Sequence, residues 1–451
     1  MDIKVKSNVA TPATAESIFE SILHSRGYTT KSEQDEFLHP PEPTISFLRK
    51  HADLKLSVLN SATRLLDSHL TRGDDVLVFG DYDADGVTAT AIMWQALVAY
   101  AKITHSTSRI LPFIPDRLRH GYGLGVDAVS DVLDGTGFTT TQYPDFHPKL
   151  VVTVDTGIVA DVGIARLRDS AIDVIVTDHH QPDKSFPNAS VIVHTLATSG
   201  AGLAWIFALH LLGDQANVLL DLATIGVVAD MMPLTRLNRS LVAHGLSALS
   251  RTRRPGLLAM KAAMGVGEKA LTTYDLSFGI APRINAAGRI YSPLDALRLL
   301  CTSDPTQAAV LAQKIESHNH DRQEYTDRAL LEVGTQQVPH HVIITLGDYH
   351  EGVIGLVASK LVEKFHRPAV VMSQNDKVVK GSARSIPGVN ITALLRSLHT
   401  PFLGLGGHEQ AAGFSLDHTQ VSAFTRELEA IADQVISVAQ LVKTESADLE
   451  L

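Results

Sequence analysis

Residues 81–86 read Asp-Tyr-Asp-Ala-Asp-Gly and follow directly on the apolar run Val76-Leu77-Val78-Phe79. Three carboxylates on alternate positions at the end of a buried strand repel one another. Their pKa values rise and the fold is destabilised unless a cation neutralises them. Such an oxygen-rich set suits hard divalent ions such as Mg²⁺ and Mn²⁺. The pattern recurs along the chain. Val151-Val152-Thr153-Val154 ends in Asp155-Thr156-Gly157, Val174-Ile175-Val176-Thr177 ends in Asp178-His179-His180, and Ile225-Gly226-Val227-Val228-Ala229 ends in Asp230. Four apolar runs, read as strands, deliver acid or imidazole at their C-terminal ends, where open α/β sheets bind ligands. The chemistry expected is metal-dependent catalysis.

In the first motif, alternate residues of an extended segment point to one side, so Asp81, Asp83 and Asp85 face one metal pair. Gly86 permits a tight turn into the following helix. A calcium loop of the EF-hand type fits poorly, because its twelfth position is Ile92 rather than Glu and a strand precedes it. In Asp178-His179-His180, one imidazole can bind metal while its neighbour meets a phosphate. His340-His341 serves as an internal comparison: no carboxylate adjoins it, and it reads as structural or exposed. Asp155 and Asp230 complete a set able to bridge two metals about 3.5–4 Å apart, the spacing of two-metal hydrolysis. Either Asp alone would serve equally well as a helix cap.

A chain of 451 residues exceeds one ordinary core, so two or three domains are expected. The composition, 45% hydrophobic and 20% charged, is that of a globular protein. Cys301 is the single cysteine, which excludes an internal disulfide and fits a reducing cytoplasm. The N-terminus lacks the apolar region of a secretory signal. The apolar stretches near 91–101 and 202–212 fall short of the roughly 20 residues of a membrane helix, so no membrane partner is expected. Net charge is −10, from 39 basic and 49 acidic residues, which argues against bulk nucleic-acid coating but leaves room for a local basic track. Arg251-Thr252-Arg253-Arg254 with Lys261 is one such cluster, read first as a solvated helix end.

Residues 1–45 are polar with a Pro-rich break and read as an N-terminal appendage. Over 46–304, β-branched runs alternate with helical segments, as in a doubly wound parallel sheet with crossover helices. Apolar residues at 308, 311, 315, 325 and 329/330 predict a connecting helix over 305–337. A smaller α/β domain spans 338–440, with a Gly-rich turn at 404–407. The acidic tail 441–451 is expected to fray.

Asp81-Tyr-Asp-Ala-Asp-Gly86, Asp155-Thr-Gly-Ile158 and Asp178-His-His180 resemble the motifs of the DHH phosphoesterase superfamily. Six further segments narrow the resemblance to its RecJ branch, in order and spacing from about residue 50 to 417: Arg117-Leu-Arg-His-Gly-Tyr-Gly123, Val228-Ala-Asp-Met-Met-Pro233, Ala281-Pro-Arg-Ile-Asn-Ala-Ala-Gly-Arg289, His350-Glu-Gly-Val-Ile-Gly355, Lys380-Gly-Ser-Ala-Arg384 and Gly406-Gly-His-Glu-Gln-Ala-Ala-Gly413. The resemblance implies a DHH domain joined by a long helix to a smaller DHH-associated domain, with the active site in the cleft between them. It implies a single-strand-specific exonuclease of DNA repair and recombination that works from the 5′ end and releases 5′-mononucleotides.

By motif position, Asp83, Asp85, Asp155, His179 and Asp230 would hold two Mn²⁺ or Mg²⁺ ions. Asp81 would be a further ligand or the base beside them. His180 and His408 would offset charge on the scissile phosphate, and Gly406 and Gly407 would close over the nucleotide. Arg117, Asn285 and Ser382 fall in substrate-binding segments. Arg283, Arg289 and Arg384 suit backbone phosphates, or else form interdomain or helix-capping ion pairs. Tyr122 either stacks on a base or serves a tight turn.

Some residues depart from the family pattern. Phe79 cannot bind metal and stands where the pyrophosphatase branch has a histidine. Val191-Ile-Val-His194 replaces the usual Asn-Pro pair, and Tyr349 replaces a tryptophan. No OB-fold follows the DHH-associated domain, which implies weaker, less processive binding unless a single-strand-binding protein or another partner supplies the grip. DNA is expected over RNA. The rival readings are a phosphodiesterase of short oligonucleotides, like the nanoRNases, and a non-catalytic replication scaffold. The scaffold relatives have eroded acidic motifs, whereas every acidic position is filled here.

Overall fold

The computed structural model describes residues 2–5, 14–121, 123–135, 143, 145–333, 341–374 and 377–447. The chain folds as two compact units, one of residues 32–319 and one of residues 1–31 with 320–451. The long helix Pro305–Val333 contains the second boundary.

The first unit is built on a sheet of β1 (Asp75–Phe79), β2 (Ile110–Phe113), β3 (Pro148–Val154), β4 (Asp173–Asp178) and β5 (Val191–His194). The order is β2-β1-β3-β4-β5 with every neighbour parallel. Parallel strands need crossovers, which cover both faces, so the strands carry apolar residues without alternation. Val76, Val78, Val152 and Ile175 enter one core, and Leu77, Phe79, Val151 and Val174 enter the core on the opposite face. Phe79 is fully buried against Phe113, with ring centroids 5.3 Å apart.

Helix α1 (Ala84–Ile103) follows β1, and beyond β5 the unit continues in helices, among them α2 (Gly200–Leu212), α3 (Leu220–Ala229) and α4 (Ala281–Ile290). Two expectations are corrected here. The segment 225–229 is helix α3, not a strand. Every residue from Leu220 to Val228 is buried, and a helix enclosed on all sides loses the periodicity that would separate it from a central strand. The segment 81–85 is likewise not extended throughout. Asp83 caps α1, accepting the Gly86 N–H at 2.9 Å, and Asp85 lies in the first helical turn. The apolar stretch Gly200–Ala229 is long enough by composition to cross a membrane, but its two α-helices are packed into the core.

The second unit holds β6 (Ile343–Gly347), β7 (Ala369–Gln374), β8 (Val378–Arg384), β9 (Gly404–His408) and β10 (Ala411–Asp417), ordered β9-β10-β8-β7-β6. Within this five-stranded sheet only the β6–β7 pair is parallel. The glycines at 404–407 form edge strand β9 rather than a turn, and Glu409-Gln410 make the reversal. Gly407 has φ +149, and a Cβ there would lie 2.3 Å from the Ala411 carbonyl oxygen, so the strand admits glycine alone. Of the tail expected to fray, residues 444–447 are ordered in a strand, and residues 448–451 lie outside the described residues. Thr444–Ala447 pairs in parallel with Asp2–Val5.

Where α1, α2 and α3 meet, a Cβ on Gly226 would sit 2.3 Å from Ala201 Cβ and 2.4 Å from Asp85 Oδ1. Gly226→Ala is expected to cost about 1–3 kcal/mol of unfolding free energy in urea through overpacking. An unchanged midpoint would show that these helices separate freely.

Candidate metal centre

Strands β1, β3 and β4 run in register, so their C-terminal ends bring three segments to one edge of the sheet. Asp81, Asp85 and Asp155 are each 2% exposed there. Ligand atoms of Asp81, Asp83 and Asp155 lie within 4.8 Å of one another, as do those of Asp155, His179 and His180, and of Asp85, His179 and Asp230. Asp155 and His179 each belong to two of these groups. The five expected ligands and Asp81 are therefore gathered in one place.

The backbone is arranged around this cluster. Asp155 follows β3 in the left-handed region (φ 59), its N–H bonded to the Thr177 carbonyl at 3.0 Å. A Cβ on Gly200 would lie 2.4 Å from Asp155 Cβ, so only glycine lets the first turn of α2 approach this carboxylate. That turn also grips Asp85. Ser199 Oγ and the N–H of Ala201 donate to its Oδ1 at 2.8 and 3.0 Å, and the N–H of Gly200 donates to its Oδ2 at 2.7 Å. A carboxylate at a helix N-terminus is favoured by the orphan N–H groups and the dipole.

Burial and neighbouring like charges raise Asp81 and Asp155 well above the ordinary carboxylate value. The same two causes raise Asp85 to about 6 and Asp230 to about 8. The two histidines diverge. Burial and the adjacent His180 push His179 down to about 4, leaving it neutral as a metal ligand must be. Burial opposes the charged form of His180 too, but the hydrogen bond and charge of Asp178 outweigh it and raise the ring to about 9. Asp178 Oδ1 accepts His180 Nδ1–H at 2.8 Å and the backbone N–H of His179 at 2.7 Å, while its Oδ2 accepts the Ile158 N–H at 2.8 Å.

One atom tests whether a cation fits. Asp155 Oδ1 is buried and accepts no hydrogen bond, although His179 Nε2 stands 3.0 Å away. A neutral imidazole nitrogen and a carboxylate oxygen facing each other without a bond between them are two lone-pair donors awaiting a shared acceptor. The donor set, mostly oxygen with one nitrogen, suits Mn²⁺ or Mg²⁺.

Other expected site residues are more dispersed. Arg117 lies over the Tyr82 ring, 5.5 Å from its centroid, and both Arg117 and Arg289 act electrostatically on the Tyr82 hydroxyl. Arg283 forms a two-pronged ion pair with Glu316 at 2.5 and 2.9 Å, and Asn285 Oδ1 accepts the Ala84 N–H at 2.8 Å, bracing the first motif. Tyr122 and His340 fall outside the described residues. Ser382, Arg384, Gly406, Gly407 and His408 belong to the second unit, where Arg384 donates to Ser382 Oγ at 3.2 Å and β9 exposes the glycines and His408. His341 pairs with Asp433 at 2.6 Å, away from any carboxylate cluster. Arg254, from the basic cluster, is bonded to buried Asp221.

Four contributors were missed from sequence. Asp178 was quoted in its motif but given no role. Ser199 looks like an ordinary helix cap. His194 Nε2 bonds the His180 carbonyl at 2.7 Å. His120 accepts the Asp116 N–H at Nδ1 (2.8 Å) and therefore donates from Nε2 to Asp131 (3.0 Å), fixing the turn that carries Arg117. Asp178, His120 and His194 lie in segments that the sequence singles out, whereas Ser199 gave no signal.

Residues 75–236 match the DHH family, N-terminal domain, and residues 340–435 match the DHHA1 domain. The chain is 33% identical over 447 residues to the single-stranded-DNA-specific exonuclease RecJ of Bacillus subtilis, covering 95% of this chain and 54% of that protein. It is 31% identical to the RecJ of Salmonella typhimurium, covering 86% of this chain and 71% of that one. The chain belongs to the RecJ family. The crystal structure of Thermus thermophilus RecJ in complex with Mn²⁺ superposes with a TM-score of 0.79 at 30% identity, covering all of this chain and 64% of that one. This RecJ-family chain thus spans about half the length of its Bacillus relative.

Asp230 and His180 sit at about 8 and about 9 in the folded chain, against ordinary values of 3.8 and 6.5. A folded pKa above the unfolded one gives stability that is full below the unfolded value and lost as pH rises through the folded value. The urea midpoint of the chelator-treated protein is expected to fall between about pH 6.5 and 8.5. Saturating Mn²⁺ should raise it more at the upper end, since ligands there no longer hold protons. A midpoint independent of pH, with or without Mn²⁺, would contradict the cluster's electrostatics.

Proposed function

We propose that the chain is a metal-dependent exonuclease that hydrolyses phosphodiester bonds of single-stranded DNA from the 5′ end and releases 5′-mononucleotides, in DNA repair and recombination. The observation that carries this reading is the buried Asp155 carboxylate oxygen that accepts no hydrogen bond and faces His179, among the five expected ligands and Asp81, in a chain whose relatives are named single-stranded-DNA-specific exonucleases. Related structures contain Mn²⁺ and Mg²⁺.

In this reading Asp83, Asp85, Asp155, His179 and Asp230 would hold two Mn²⁺ or Mg²⁺ ions, with Asp81 a further ligand or the base beside them. When bound, such ions lower the pKa of water and offset charge on a phosphoryl group. The chain's own residues do the rest. Asp85, clamped by Ser199, Gly200 and Ala201, keeps its carboxylate in one orientation. Asp178 fixes His180 through Nδ1, so Nε2 presents a proton to a phosphate oxygen or to the leaving oxygen. Arg117 and Arg289, grouped around Tyr82, take phosphates along the strand, and Arg283 and Asn285 support them by holding helix α4 and the first motif. On the second unit, Ser382, Arg384, Gly406, Gly407 and His408 are that unit's own candidates for contacting the strand. The partner is unpaired DNA, with a single-strand-binding protein aiding its capture, in a cytoplasmic setting that suits the single thiol.

The test uses 5′-labelled and 3′-labelled 30-mers of DNA and RNA with Mn²⁺, Mg²⁺ or EDTA. Immediate release of labelled mononucleotide from 5′-labelled DNA, abolished by EDTA and by Asp155→Ala, is the expected result. Survival of 30-mers with loss of two- to five-nucleotide fragments would replace this reading with a short-oligonucleotide phosphodiesterase. Asp178→Asn should keep Mn²⁺ binding yet lower kcat about 10²- to 10³-fold, as loss of an oriented charge-stabilising group does. Unchanged kcat would remove His180 from the chemistry.

A further inference from the structure

Helix α3 ends one residue before a metal-cluster carboxylate, and it ends in an unusual way. Asp230 is its C-cap (φ −79, ψ 2), and the next residue, Met231, has φ 56. The Met231 N–H bonds the Val228 carbonyl at 3.2 Å, and the Met232 N–H bonds the Val227 carbonyl at 3.3 Å. These two bonds make a Schellman termination, whose left-handed position is the one most often filled by glycine. Methionine has no short polar side chain to satisfy the backbone there, so it bears the full steric cost of its Cβ.

Burial does not compensate. Met231 is 86% exposed, so its side chain packs on almost nothing within the protein. One exposed apolar residue is ordinary on a protein surface. An exposed apolar residue on a strained backbone, adjoining a carboxylate 3.8 Å from the His179 ring, is not. Strain of this kind persists at functional sites, where something other than folding selects the residue.

Resting on the function proposed above, we infer that Met231 is a substrate-contacting residue whose thioether arm packs on the base or sugar of the nucleotide seated at the carboxylate cluster. A flexible, polarisable side chain conforms to any of the four bases without hydrogen-bond readout. It therefore suits an enzyme that accepts strands of any sequence. The strained backbone sets the arm beside Asp230 and leaves it exposed.

Three variants test this. Met231→Gly relieves the backbone and should raise the Tm by about 2 °C, while KM for a 5′-labelled 10-mer rises about tenfold. Its kcat should change less than about threefold, as expected when a contact common to bound strand and transition state is removed. Met231→Asn, which tolerates the left-handed region but is polar, should weaken KM similarly. Met231→Leu should hold KM within about twofold. Binding of the same 10-mer in Ca²⁺, read by fluorescence anisotropy, should follow the KM order. An unchanged KM in Met231→Gly overturns the inference, as does a fall in kcat at constant KM, which would make Met231 a positioning residue for Asp230. A lower Tm in Met231→Gly also overturns it. A wild-type chain that neither binds nor cleaves single strands overturns the proposed function itself, and that result is visible before any variant is made.

Discussion

Three carboxylates held in the dry end of a parallel sheet define the problem that this fold solves. Asp81, Asp85 and Asp155 are nearly inaccessible, and burial together with neighbouring carboxylates raises the proton affinity of all three. Such a cluster survives folding only if its acids stay partly protonated or a cation compensates them. The surrounding structure restricts where compensation can come from. Helix α2 spends its N-terminal donors on Asp85, Asp178 is satisfied by backbone N–H groups and His180, and Asp155 Oδ1 is left with none. The open valence is thus concentrated at one oxygen, facing one imidazole.

Adjacent histidines with opposite electrostatics complete the division of labour. His179 points into the acids yet is held neutral by burial and by its charged neighbour. His180 leans back on Asp178 and keeps its proton. Swapping their environments would give a protonated ring among the ligands and a neutral one at the phosphate. The glycines act at the same level. Gly86, Gly200 and Gly226 each lie where a Cβ would strike Asp81, Asp155 or Asp85. Backbone reaches the acids at these points because side chains are absent.

Much of this was legible in the residues. The acid-terminated strands β1, β3 and β4, the doubly wound sheet and a second α/β unit follow from β-branched runs punctuated by Asp and Gly. The errors have separate physical origins. Helix α3 is enclosed on every side, so nothing in Ile225–Ala229 separated it from a strand. The extended reading of 81–85 failed because an Asp after a strand can cap a helix as readily as continue the strand, and Asp83 caps α1. Gly404–Gly407 was read as a turn, yet close approach to Ala411 requires glycine within a strand just as a turn would. The roles of Asp178, Ser199, His120 and His194 depend on partners up to 114 positions away, which local pattern does not reveal.

The pairing of Asp2–Val5 with Thr444–Ala447 has a practical consequence. The two extremities of the described chain share one hydrogen-bonded ladder, so neither can be altered independently. Removing the first few residues would strip a partner from the last strand and leave an unpaired edge, the kind of surface that recruits other chains. Because the two strands are parallel, the chain enters the ladder beside Thr444 and leaves it beside Val5, so additions before Asp2 and after Ala447 would extend from opposite ends of the ladder.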